Sequence, residues 1–228
     1  MDFGVMLSES FAYTKEGVLE NTNKWFMLMI ATLIFSIPLG GYIMKIFRGE
    51  RPAPEVSDWG TLFIDGIKLC IVGLIYYIPV IILEVIMFVI IGAAFVSGDS
   101  STMMAGAGIA GLIGLVMILL AIIIAVFLPI AVIRFARTNN FGEAFNFGAI
   151  LETIGKIGWV SYIIALIIGA IVIGIPVGII YFILMMIAVA IPIVGILILV
   201  VVMLIIMPLV AVFHARYITQ IFDSIGSA

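Results

Sequence analysis

The stretch GGYIMKIFRGERPAPEVSDWGTLFIDGIK, Gly40–Lys68, decides how the rest of the chain is read. It holds four of the ten Lys and Arg residues (Lys45, Arg48, Arg51 and Lys68) and divides one long apolar run from the next. Its Arg51-Pro52-Ala53-Pro54 run cannot be helical, because each proline biases the residue before it away from the α region. Ser57 or Asp58 then offers an N-cap for a short amphipathic helix with Trp59, Leu62, Phe63 and Ile67 on its apolar side. A basic, proline-broken connector between apolar runs reads as a loop at a membrane surface.

Outward from this stretch the chain is almost bare of charge. Of its 228 residues 65% are hydrophobic and only 10% charged, too few to cover a soluble surface. Mean hydropathy is +1.43, and apolar runs of membrane-crossing length recur. The expected fold is therefore all-α: a polytopic transmembrane helical bundle, one membrane domain over residues 1–228, with short amphipathic helices at the interface. Hydrophobic segments are expected at 25–47, 69–96, 106–135, 158–189 and 193–215, with connectors at 48–68 and 138–156. No secretory leader is expected, since the first apolar run starts only at Trp25 behind a net-acidic stretch.

Residues 1–24 read as an amphipathic N-terminal helix, with Phe3, Leu7, Phe11 and Val18 on one face and Asp2, Glu9, Glu16 and Glu20 opposite. The segment 25–47 has two readings. Pro38, Gly40 and Gly41 interrupt it, so it is either one kinked span or a re-entrant hairpin of two half-length pieces. Length favours the single span.

Lys and Arg are retained on the cytoplasmic side of membranes. Lys45, Arg48, Arg51 and Lys68 in the first connector, Arg134, Arg137 and Lys156 around the second, and Arg216 after the last segment make eight of the ten. The turns Ser97–Thr102 and Ala190–Gly195 hold none. Both connectors and the C-terminal segment are thus expected on the cytoplasmic side of the cell membrane.

An internal echo groups the segments. LPIAVIRFAR at 128–137 and MPLVAVFHAR at 207–216 share Pro, Ala and Arg at the same spacing, and IPLGGYIMKIFR at 37–48 is a looser third version. Each closes a unit made of an amphipathic helix and an apolar pair, a degenerate hairpin repeat in one orientation. The Gly-Tyr…Arg-Gly-Glu…Asp-Trp-Gly…Asp-Gly pattern of the opening stretch, with FARTNNFGEAFNFGAI and PLVAVFHARY, resembles a prokaryotic membrane family known as domain of unknown function 4013. The resemblance implies a multi-pass membrane protein and no particular activity.

Little in the chain carries chemistry. One Cys and one His exclude an internal disulfide and a Cys/His metal cluster, and no cofactor motif appears. Glu84 is the one charged residue deep inside an apolar segment, on a semi-polar stripe with Cys70 and Tyr77 at seven-residue spacing. It is expected to face the bundle and find a partner there, either as a proton or cation site or as interhelical glue. His214, beside Arg216, reads as a helix-end cation. Gly106, Ala110 and Gly114 in the third segment, and Ser161, Ala165, Gly169 and Gly174 in the fourth, are expected to bring those two helices together. The leading expectation is a non-catalytic scaffold or accessory protein, not an enzyme. A small transporter or channel component using Glu84 is the alternative, and a lipid-handling enzyme the third. Membrane lipids are the expected partners, with further copies of the chain or other membrane subunits as candidates and nucleic acid excluded.

Overall fold

Each polar break in the sequence becomes a helix boundary with its own cap. The computed structural model describes residues 1–227, and the described residues contain eight α-helices and no strand. Helix α1 (Phe3–Thr14) starts at Asp2, whose carboxylate accepts the Val5 N–H at 3.1 Å. Helix α2 (Thr22–Leu33) starts at Asn21, which accepts from Lys24 N at 3.0 Å. Helix α3 (Ile37–Phe47) follows without a polar cap. Asp58 opens α4 (Trp59–Ser97) and Asp99 opens α5 (Ser100–Thr138), the latter accepting from Thr102 N at 2.8 Å. Asn146 caps α6 (Phe147–Ile157) by accepting from Ala149 N. Helices α7 (Trp159–Ala190) and α8 (Pro192–Asp223) meet at a turn where Gly195 lies against the backbone of Ala188. Short polar side chains satisfy the first orphan N–H groups in each capped case.

Four of these helices, α4, α5, α7 and α8, are long and apolar enough to cross a membrane. At 1.5 Å per residue α4 and α5 are about 58 Å long, and α7 and α8 about 48 Å, against ~30 Å of hydrocarbon. The chain is a polytopic helical membrane protein. Each crossing helix carries one internal proline: Pro79, Pro129, Pro176 and Pro208. Neighbouring helices and side chains re-satisfy the freed carbonyls of such prolines in membrane proteins. One turn before Pro208, the Ile205 carbonyl accepts the Trp25 indole N–H at 3.1 Å.

The first apolar segment departs from the single continuous span that its length favoured. It is broken at Ile34–Ser36 into α2 and α3, and Phe35 and Ser36 take left-handed φ values of 53° and 57°. These helices are about 18 and 16 Å long, so neither crosses alone. The chain entering α2 and the chain leaving α3 are joined: Lys24 pairs with Glu55 at 2.8 Å and donates to the Ala53 carbonyl at 3.2 Å. The turn between α2 and α3 carries Phe35 at 90% exposure. The segment is two short helices joined by a turn, not one continuous helix. The short helix expected before the second segment also differs, because it runs without a break into α4. Its counterpart α6 is separated from α7 by Gly158, at φ +93°.

Contacts divide the chain into two compact units. The smaller, Ile71–Pro129, is a helical hairpin closed by Gly98 and Asp99, in which Gly106 of α5 meets Ala94 of α4. The larger comprises residues 1–70 and 130 onward. Its core sits at the C-terminal end of α8, where every residue from Ala215 to Ile221 is buried. Met6 and Ser10 of α1 and Ile46 of α3, all buried, accept hydrogen bonds from that end.

Candidate functional site

The residues that carry the family resemblance build a joint between α3 and the start of α4. A Cβ on Gly41 would lie 1.9 Å from the Leu62 carbonyl oxygen, and one on Gly66 1.8 Å from that of Ile37. Only glycine allows backbones this close. Beside the crossing, Arg48 donates to Asp65 at 2.6 Å, with Lys68 3.5 Å from the other carboxylate oxygen. Asp65 is 4% exposed, so the ion pair holds in a dry setting. Tyr42 donates its hydroxyl to the Pro54 carbonyl at 3.0 Å, and Tyr13 donates to that of Glu50 at 3.1 Å. Burial and the neighbouring Glu50 push the Tyr13 phenol up, which keeps it neutral and donating.

The three echoed helix ends converge on this joint. Arg137, closing α5, donates through Nε to the Phe47 carbonyl at the end of α3, at 2.6 Å. Its Nη2 donates to Asp223 at the end of α8, at 2.7 Å. Its guanidinium also covers Gly49, whose φ is +91° and whose Cβ, if present, would sit 3.0 Å from both terminal nitrogens. One side chain thus ties all three repeat ends. Arg216, the equivalent arginine of α8, is 2% exposed and stacks 5.2 Å from the Tyr13 ring, with Glu9 3.9 Å away. Gln220, one turn further, donates to Met6 O at 3.0 Å and Ser10 Oγ at 2.7 Å, pinning α1. Arg134 pairs with Glu143 and donates to Thr153 at 3.2 Å, fixing the approach to α6. The arginine hydrogen bond, then that of Asn146, holds the Glu143 carboxyl below its ordinary range.

Of the eight basic residues expected on the cytoplasmic face, seven pair with carboxylates: Arg48, Lys68, Arg134, Arg137, Lys156, Arg216, and Arg51, which lies 3.9 Å from Glu9. Lys45 donates to the Glu55 carbonyl at 3.5 Å. The intramembrane stripe is placed differently from its expected inward position. Cys70, Tyr77 and Glu84 are all exposed, and among the described residues Glu84 has no hydrogen-bond or ion-pair partner.

The small-residue faces also divide unexpectedly. Ala165 and Gly169 pack on Tyr217 of α8, which donates its hydroxyl to the Ala165 carbonyl at 2.9 Å. Gly106 packs on α4, Ala110 and Ser161 are half-buried, and Gly114 and Gly174 have nothing within 4 Å of a built Cβ. The closest helix approaches at glycine among the described residues are therefore Gly41 to Leu62 and Gly66 to Ile37, which the small-residue faces expected from the sequence do not include. Their signal was present in the spacing of Gly40-Gly41 and Asp65-Gly66 around one arginine.

The larger unit also has an open groove of about 310 Å³ between the N-terminal segment and α7–α8. Phe11, Leu19, Pro176, Leu209 and Phe213 line it, with Thr14 the one polar residue. No group of three or more His, Cys, Asp or Glu side chains able to hold a metal occurs among the described residues. Chemically the joint can bind helices to one another, and it presents no nucleophile beside a base.

Residues 25–189 match the family described as protein of unknown function (DUF4013). The chain belongs to that family. No curated protein and no solved structure matches it. The match takes in α2 through α7, and so covers the α3–α4 joint and the arginines that close α5. In this DUF4013 chain, the glycines and charged residues of the opening stretch are accounted for as contacts within the fold.

Proposed function

We propose that the protein is a non-catalytic scaffold of the cytoplasmic membrane, with its basic end on the cytoplasmic side and its crossing helices offered to lipids or to other membrane subunits. One observation carries this reading. Nine of the ten basic side chains lie within 4.0 Å of a carboxylate of the same chain. Charge that is neutralised internally builds a rigid collar and leaves little free field for steering an ionic substrate. The exposed position of Glu84 and the apolar lining of the groove fit the same reading, since a translocation path needs polar groups around a wet cavity.

The test is reconstitution into liposomes with an entrapped pH-sensitive dye and imposed proton, sodium, potassium and magnesium gradients. A scaffold gives no flux above empty vesicles. A flux that is present in the native protein and lost in Glu84→Gln would replace this reading with a transporter.

A further inference from the structure

Glu84 combines three properties that are costly together. It sits sixteen residues from Lys68 and fifteen from Asp99, about 24 and 22 Å along the helical rise, near the middle of the apolar stretch 69–96. It is exposed on its helix without a partner among the described residues. The facing helix of the hairpin is bare of such groups: residues 100–129 of α5 include no Asp, Glu, Lys, Arg, His, Cys or Tyr. All ten basic residues lie outside the membrane-crossing stretches of 71–96 and 103–129. A carboxyl in hydrocarbon needs a donor and an acceptor, and none is recorded for Glu84 among the described residues.

We infer that the Glu84 face of α4 is the contact surface for a second copy of this chain, arranged in parallel about a two-fold axis along the membrane normal. A neutral carboxyl has one donor and spare acceptor capacity, so two of them satisfy each other through a reciprocal pair of hydrogen bonds. A two-fold axis along the normal sets identical residues at identical depth, and an isologous contact then brings Glu84 to Glu84 of the partner. The same face carries the means of close approach. At 100° per residue Gly73 and Tyr77 lie within about 20° of Glu84, on either side of it. Gly73 has nothing within 4 Å of a built Cβ, and Tyr77 is 43% exposed. Ile91 continues the face for a further two turns and is 46% exposed. Gly73 differs in this from Gly66 on the same helix, which is fully engaged by Ile37.

The test is disulfide cross-linking of the full chain in liposomes at high lipid-to-protein ratio, in a Cys70→Ser background that retains Glu84. Tyr77→Cys reports the proposed face. Ile82→Cys reports the opposite side, about 160° around the helix, where the side chain is 53% exposed and equally free to collide. Tyr77→Cys cross-links and Ile82→Cys does not. Adding Glu84→Gln keeps the cross-link, because a primary amide pairs with itself as a carboxyl does. Adding Glu84→Leu weakens association roughly tenfold, the equivalent of two lost interhelical hydrogen bonds. Adding Glu84→Lys abolishes the homodimer, and mixing that variant with native-Glu84 chain restores a mixed cross-link. Restoration excludes misfolding as the cause of the loss.

Equal cross-linking at both positions would overturn the inference. So would a Tyr77→Cys cross-link indifferent to Glu84→Leu. A Tyr77→Cys chain that reacts with thiol reagents but never pairs would also overturn it, and would assign this face to a different subunit.

Discussion

Gly66→Ala is the sharpest perturbation of the joint between α3 and α4. The added Cβ would fall 1.8 Å from the Ile37 carbonyl oxygen, where Cβ contacts under 3.0 Å essentially never occur. The obstacle is backbone, so no side-chain rotation relieves it. The helices must separate by about 1.2 Å, and overpacking of this kind costs roughly 1–3 kcal/mol. Separation also stretches the 2.6 Å Arg48–Asp65 bond, held by a buried carboxylate. A charge-assisted bond of that type contributes about 1.5–3 kcal/mol. Alanine's better helix propensity returns at most ~1 kcal/mol. The net expectation is a loss of about 2–4 kcal/mol. Gly114→Ala is the matched control, because it adds the same atom where nothing lies within 4 Å. It should be neutral or stabilising by up to ~1 kcal/mol. Thermal unfolding in a mild detergent, followed by loss of the monodisperse peak in size exclusion, reads both. Equal stability of the two variants would refute the account of the joint.

Arg137→Lys should cost about 1–2 kcal/mol, since a lysine cannot serve the Phe47 carbonyl and Asp223 together; Asp223→Asn should lower the melting temperature less than Arg137→Met. Hydrogen bonds from Ser101, then Thr102, hold the Asp99 carboxyl down at about 2, below its ordinary 3.8. A depressed carboxyl contributes stability that is full above its unfolded value and lost as pH falls through the folded one. Amide protection at Thr102 should therefore persist down to pH 4, fade between pH 4 and 2, and be absent at all pH values in Asp99→Ala. In a Cys70→Ser background, cysteines at Asn23, Ser57 and Asn140 should all be protected from impermeant thiol reagents in intact cells, while Ser100→Cys labels; labelling at Asn23 alone would mean that α2 and α3 together cross the membrane.

The connectors and the cap at Asp58 were legible because each rests on a local signal, a short polar residue immediately ahead of an apolar run. Asp99 and Asn146 cap α5 and α6 in the same way. That the first segment is interrupted was legible, but the position of the break was not, for a physical reason. Gly40 and Gly41 look like the place for a turn, yet they lie inside α3, where their missing side chains admit α4. The turn falls instead on Phe35 and Ser36, two residues that seldom take positive φ. Glu84 was misplaced for a related reason. On α4 almost every position is apolar, so periodicity puts Gly73, Tyr77 and Glu84 on one face without saying which way that face points. The echo of Pro129–Arg137 and Pro208–Arg216 was legible as a repeat. That one of these arginines would join all three ends was not, because it depends on contacts spanning 86 and 90 residues.

The burial of the last turns of α8 has a consequence for biogenesis. Ser10 waits for Gln220, 210 residues later in translation, before its contact exists. The hairpins α4–α5 and α7–α8 are apolar enough to enter the bilayer as they emerge from the ribosome, and α3 docks on α4 without α8, whereas α1 lacks its Gln220 anchor until α8 is complete. Insertion and closure are thus separate events. A nascent chain stalled before Ala215 would be membrane-integrated yet open at its basic end, with α1 exposed to proteases and chaperones.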